Sequence, residues 1–121
     1  MQSFRDLTVW QRAVQMAVST YALTKCFPAS EAYGLTSQMR RAAVSVASNI
    51  AEGRGRLTEG EFRQFLGVAQ GSNYELQTQI EVARQLLYAP EEQLANMEML
   101  STEVGKMLSA LIGTLTVPKR G

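Results

Sequence analysis

Apolar residues alternate at spacings of four and three through much of this chain. Between positions 62 and 87 the series is Phe62, Leu66, Ala69, Asn73, Leu76, Ile80, Ala83 and Leu87, a heptad seam with one polar member. A second series, Leu94, Met97, Ser101, Val104, Leu108, Leu111 and Leu115, repeats the pattern with Ser101 as its polar member. Such spacing puts each series on one side of a helical rod. Upstream, Trp10, Ala13, Val14, Ala17 and Tyr21 predict the buried face of a first helix; Leu35, Met39, Ala42, Ala43, Val46 and Ile50 predict that of a second. Strand signals are missing, with no sustained alternation and no Asn-Gly or Asp-Gly pair.

Local punctuation sets the expected ends. The first helix is expected over about 7–25, with Asp6 or Thr8 as N-cap, Thr8 and Gln11 as a capping box, and Phe27-Pro28 as its stop. The second, about 31–53, starts near Ser30 and runs to the breaker Gly53-Arg54-Gly55. Thr58-Glu59-Gly60-Glu61 is a capping box for a third helix over about 58–87. Pro90 suits the first turn of a fourth, about 90–116, where Glu91 and Glu92 favour the positive end and Pro118 closes it. Thirty helical residues extend roughly 45 Å, so the last two helices are matched rods. Short connections force antiparallel neighbours, and the expected fold is all-α: one antiparallel up-down-up-down four-helix bundle over residues 1–121.

Two features exceed the needs of one core. Ala42 to Ala51 carry no charge, between Arg40/Arg41 and Glu52, so neighbours are expected on several sides of the second helix. Val9, Met16 and Leu23 recur every seven residues, well over 100° round from the Trp10–Tyr21 face, and are expected to stay wet in a monomer. Each is worth roughly 1.5–3 kcal/mol when fully buried. With the small-residue face of Val44, Ala47 and Ala51, they form the predicted interface of a homo-oligomer.

Composition narrows the chemistry. At 121 residues with 45% hydrophobic content the chain holds a core without disulfides, and its net charge of +1 excludes a general polycation. Its one cysteine, Cys26, excludes an internal disulfide and a thiolate metal cage. There is no basic-plus-apolar leader and no spanning apolar run, so a cytoplasmic location is expected and no membrane contact. Without histidine there is no Ser-His or Cys-His nucleophile, and the Glu-x-x-His di-iron pattern of helical bundles is excluded. Glu52, Glu59, Glu61 and Glu75 could make only a carboxylate site, and they read better as caps or solvated charges. Gly53-Arg54-Gly55-Arg56 lacks the Gly-Lys-Ser/Thr ending of a phosphate loop. No catalytic residue, metal, cofactor or small-molecule substrate is predicted.

Two polar sets remain. Arg41, Ser45, Asn49 and Glu52 share an arc of the second helix with Gln38 and Ser48, and Asn73 and Glu75 face them from the third. Arg41 and Glu52 are about three turns apart and cannot pair, so Glu75 is the expected partner of Arg41. The set is read as a hydrogen-bonded network fixing register or subunit contact, ahead of a ligand pocket. The second set, Arg40, Arg54, Arg56 and Arg63, is expected around the turn between helices two and three, where it is the candidate nucleic-acid contact. The fourth helix, with Glu91, Glu92, Glu98 and Glu103 against Lys106, polarises the molecule the other way. Lys119-Arg120 reads as a frayed basic tail.

Phe4-Arg5-Asp6-Leu7 with Trp10, Phe27-Pro28, Glu31 and Tyr33-Gly34-Leu35, Gln38-Met39-Arg40-Arg41-Ala42 and Ser45 form a recognisable set. With Asn49-Ile50-Ala51-Glu52-Gly53, Phe62, Phe65-Leu66, Ala69-Gln70-Gly71-Ser72 and Glu75-Leu76, nearly the whole chain resembles the 23S rRNA intervening-sequence proteins. These are small bacterial four-helix bundles related to the Avd accessory proteins of diversity-generating retroelements. The resemblance implies a ring-like homopentamer and contact with RNA or DNA. Avd members tend to be strongly basic, whereas this chain is nearly neutral. The expected function is a non-enzymatic, self-assembling interaction or scaffold protein with nucleic acid as its leading partner. The alternative is a protein-binding adaptor without nucleic-acid contact.

Overall fold

The computed structural model describes residues 3–115, which form four α-helices: α1 (Thr8–Thr24), α2 (Leu35–Arg54), α3 (Glu59–Gln85) and α4 (Glu91–Thr114). Pro118 and Lys119-Arg120 lie outside the described residues. The helices pack as α1 on α2, α2 on α3, α3 on α4 and α4 on α1, with the diagonal pairs apart. Among the described residues there is no strand, and the architecture is an antiparallel four-helix bundle.

The α3 and α4 seams pack as their spacing predicts as far as Ala83 and Leu108, whereas Leu87 is exposed beyond the end of α3 and Leu111 and Leu115 are half-buried. Phe62, Leu66, Ala69, Asn73, Leu76, Ile80 and Ala83 are buried, as are Leu94, Met97, Ser101, Val104 and Leu108. The two polar seam positions meet across the interface. Asn73 Nδ2 donates to the Ser101 carbonyl at 2.9 Å, and Ser101 Oγ donates to Asn73 Oδ1 at 2.7 Å. A one-turn slip of α3 against α4 would strand both groups in the core, so this pair pins their register.

Helix α1 is rotated from the expected orientation. Its buried residues are Val9, Ala13, Met16, Ala17, Thr20, Leu23 and Thr24, whereas Trp10 and Val14 are half-buried and Tyr21 is exposed. Val9, Ala13, Met16, Thr20 and Leu23 run at spacings of four and three, the same seam rule as α3 and α4. The threonines hide it in a hydrophobicity count. In the fold Thr20 Oγ1 donates to the Met16 carbonyl and Thr24 Oγ1 to the Thr20 carbonyl, both at 2.8 Å, so each hydroxyl is satisfied within its own helix.

Helix ends depart from expectation in specific ways. Leu7, not Asp6 or Thr8, occupies the α1 N-cap without a side-chain bond, and Gln11 Nε2 donates to the Arg5 carbonyl at 2.8 Å instead of closing a box. Helix α2 starts at Leu35 because Pro28 begins a short 3-10 turn (Ala29–Glu31) and Gly34, at φ −112° and ψ −116°, breaks the path. Glu31 substitutes as a cap, its Oε1 accepting from the Leu35 N–H at 3.2 Å. Thr58 Oγ1 accepts from the Glu61 N–H at 3.1 Å, as the capping box requires. At the far end of α3, Leu87 sits in the left-handed region at φ 59° and is exposed. The Tyr88 N–H donates to the Ala83 carbonyl at 3.0 Å and the Leu87 N–H to that of Arg84 at 3.1 Å, a Schellman stop with leucine at the usual glycine position.

Two devices tie this end together. Arg84 bonds Glu81 at 2.7 Å, Glu91 at 3.0 Å and Glu98 at 3.2 Å, clamping α3 to α4; these bonds push its pKa up, Glu98 contributing most. The Tyr88 hydroxyl donates to Glu31 Oε2 at 2.6 Å while its ring packs against Phe27, joining the α1–α2 and α3–α4 connections.

Candidate interaction surface

Several of the residues singled out in the sequence line open hollows of the surface. Among the described residues no group of three or more Cys, Asp or Glu is placed to hold a metal ion, and the chain has no histidine. The surface is instead organised around the outer face of α2.

On one side of that face, α1 and α2 enclose an open groove of about 540 Å³. Phe4, Trp10, Val14 and Val18 form one wall, and Val44, Ala47 and Ala51 the other. The groove follows from the rotation of α1: turning Val9, Met16 and Leu23 inward leaves Trp10, Val14, Val18 and Tyr21 outward. The predicted interface is therefore corrected by half. Val9, Met16 and Leu23 are 5%, 0% and 3% exposed and belong to the monomer's core, because they share its heptad seam with Ala13 and Thr20. Val44, Ala47 and Ala51 line the groove, with Val44 exposed, Ala51 half-buried and Ala47 buried. Val18 belongs to none of the predicted faces, although Val14, Val18 and Tyr21 repeat at i, i+4 and i+7 as a second apolar stripe.

On the other side, α2 and α3 enclose a polar hollow of about 680 Å³, which shares Tyr21 and Val44 with the groove. Arg41, Ser45, Ser72 and Glu75 line it. Ser45 Oγ and Ser72 Oγ are 2.9 Å apart, and Asn49 Nδ2 donates to the Ser45 carbonyl at 2.8 Å and to its hydroxyl at 3.0 Å. The expected single network is thus divided into four separate pieces, with Arg41 in none of them. Asn73 turns to Ser101, about 200° round α3 from Glu75. Glu52 pairs with Arg56 at 3.1 Å, one turn along. Glu75 accepts from Gln79 Nε2 at 3.2 Å, also one turn along, and Arg41 has no hydrogen bond or ion pair among the described residues. The expected Arg41–Glu75 pair does not form; Glu75 accepts instead from Gln79 on its own helix.

The arginine set divides too. Arg54, Arg56 and Arg63 surround the α2–α3 turn, but Arg40 lies 14 residues before Arg54, about 21 Å along α2. Its Nε donates to Thr24 Oγ1 at 2.9 Å and its guanidinium stands 4.5 Å from the centre of the Tyr21 ring, anchoring α2 to the end of α1. Arg56 stacks at 4.6 Å over Phe65 while held by Glu52. Arg54 lies 5.8 Å over Phe62, with its Nε buried and unbonded. Arg63 is exposed and has no ion-pair partner among the described residues.

The close fit of this turn explains a glycine. A Cβ built on Gly53 would lie 2.6 Å from Phe65 Cβ and 3.1 Å from Phe62 Cδ1, so α2 and α3 approach as closely as they do because residue 53 has no side chain. A profile described as the 23S rRNA-intervening sequence protein family matches residues 5–110, nearly all of this surface included. The chain is a member of the 23S rRNA-intervening sequence protein family. No curated protein matches the sequence. The fold of this family member is similar to the crystal structure of a protein of unknown function, from the S23 ribosomal protein family, of Bacteroides thetaiotaomicron. The TM-score is 0.79 at 22% identity, covering 87% of this chain and 98% of that one. At that identity the likeness speaks for the bundle alone. Among the described residues of this family member, no helix is long and apolar enough to cross a membrane.

Proposed function

We propose that this chain is a non-enzymatic bundle protein of the cytoplasm that assembles with copies of itself and presents arginines to nucleic acid. The observation that carries the reading is the α1–α2 groove, an apolar strip with Val18 and Val44 in water that a partner would cover. A ring-like pentamer and kinship to the Avd accessory proteins follow from the family resemblance. The nucleic-acid half rests on Arg54 and Arg63 at the α2–α3 turn, neither of which has a carboxylate partner among the described residues. A ring would repeat each of these cations once per subunit, and phosphate contact through them would be strongly salt-dependent.

Native mass by light scattering, with and without added RNA, tests both halves. A multi-chain particle is expected, together with filter retention of RNA or DNA that falls steeply between about 50 and 200 mM salt. A single-chain mass at every concentration would remove the assembly; no retention at low salt would remove the nucleic-acid contact. The rival reading, a protein-binding adaptor, draws support from Tyr33, Leu57 and Leu87, which are exposed outside the groove, and from Glu52 neutralising Arg56. Loss of nucleic-acid retention together with persistent assembly would favour it.

A further inference from the structure

We infer that the hollow between α2 and α3 binds a free α-amino acid with an uncharged side chain, independently of the proposed assembly and nucleic-acid contact. The hollow measures about 680 Å³, within the range of roughly 300–1,000 Å³ usual for small-molecule sites. Arg41 lies one turn before Ser45 and Glu75 three residues after Ser72, so in these antiparallel helices both stand to the same side of the serine pair. The α2 wall holds donors without acceptors. Arg41 has no hydrogen bond or ion pair among the described residues. Ser45 Oγ accepts from Asn49 Nδ2 at 3.0 Å and shares a 2.9 Å bond with Ser72 Oγ. That bond uses one of the two hydroxyl protons, and the other has no acceptor among the described residues.

The α3 wall holds acceptors without donors. Gln79 donates its Nε2 to Glu75 Oε1 at 3.2 Å, which leaves Glu75 Oε2 unbonded among the described residues. The same amide's Oε1 is buried with no partner, on a residue only 7% exposed. An acceptor buried in that way is costly, and it belongs to the group that touches the carboxylate. Two opposite charges therefore face one space without cancelling each other. A simple anion on Arg41 would meet Glu75, and a simple cation on Glu75 would meet Arg41. A zwitterion suits both: its carboxylate takes the fork of Arg41 and the spare serine proton, and its ammonium the free oxygen of Glu75. Arg40 also lines the hollow, but Thr24 and the Tyr21 ring hold it, so a third ligand charge finds no free partner. Tyr21 and Val44 give the ligand's side chain an apolar wall.

Thermal melts of the full chain with each uncharged L-amino acid in turn, at about 10 mM, test this, with titration calorimetry of any that raises the midpoint. At least one is expected to raise it by about 2 °C or more. The N-acetyl and carboxamide derivatives of that amino acid each lack one charge and are expected to bind at least about tenfold more weakly. Arg41→Gln and Glu75→Gln are expected to weaken binding as much while staying folded by circular dichroism, since Arg41 has no partner and glutamine can still accept from Gln79. The derivatives act on the wild type and decide the matter even where a variant melts early. The amino-acid site is overturned if no member of the set shifts the midpoint, if a derivative binds as tightly as its parent, or if either variant binds like the wild type. A rise with inorganic phosphate alone, larger in Glu75→Gln, would make the hollow an anion site and overturn it as well.

Discussion

Replacing Gly53 by alanine sets two known effects against each other. In an exposed helix interior the change is worth about 1 kcal/mol in favour of the fold, and less here, because Gly53 is the penultimate residue of α2. Against it stands the geometry: the new methyl would lie 2.6 Å from Phe65 Cβ, 3.1 Å from Phe62 Cδ1 and 3.3 Å from the Phe62 carbonyl oxygen. The nearest of these is a Cβ fixed to the α3 backbone, not the free end of a side chain, so α2 and α3 must move apart. Overpacking of this kind costs typically about 1–3 kcal/mol. The net expectation is a loss of about 1–2 kcal/mol, or roughly 3–8 °C in thermal midpoint for a chain of this size. Gly55→Ala is the control, since a Cβ there would sit at 3.6 Å or more from its neighbours and the backbone is already right-handed. Thermal melts followed by circular dichroism, at one concentration and one association state, make the comparison. A Gly53→Ala midpoint equal to or above wild type would refute the claim that this glycine sets the α2–α3 spacing.

Three further outcomes follow from the fold. Asn73→Ala takes the partner from the buried Ser101 hydroxyl and should cost about 2 kcal/mol, while Asn73→Leu with Ser101→Ala should recover much of that; urea titrations of the single and double variants decide it. Leu87→Gly should stabilise the chain by about 1 kcal/mol, because it places glycine at the left-handed position that leucine now holds, and an unchanged urea midpoint would contradict this. The Tyr88 hydroxyl, and next the Leu35 N–H, hold the Glu31 carboxyl below the usual carboxylate range. That contribution is complete above the unfolded value and fades as pH falls through the lowered one. Tyr88→Phe should therefore flatten the stability loss in the acid range below the usual carboxylate value, and acid melts that superimpose on wild type would count against the clamp.

Much of the bundle was legible because heptad spacing is a local property. The α3 and α4 seams could be read residue by residue as far as Ala83 and Leu108, and their two polar members, Asn73 and Ser101, meet in the core. The rotation of α1 was illegible for a physical reason: its buried face contains Thr20 and Thr24, polar by composition but satisfied by their own backbone, while Trp10 and Tyr21 make another side the more apolar in composition. The expected interface rests on the same orientation, so its Val9, Met16 and Leu23 belong to the core instead. Charge partners were the least legible. Arg41 and Glu75 reach the same hollow without pairing, and Glu52 finds Arg56 one turn away, because side-chain rotamers choose among several partners at similar cost.

By itself the order of residues determined the helical class, the four rods, their antiparallel sequence and the end of the second helix within the Gly53-Arg54-Gly55 breaker, since these depend on periodicity and on capping within a few positions. The tertiary structure alone decided how far each rod turns about its own axis. That rotation balances all four buried faces at once, and a shift of one residue, about 100°, exchanges core for surface. It turned Met16 inward and Val18 outward, and so made the groove over α2 on which the proposed assembly depends.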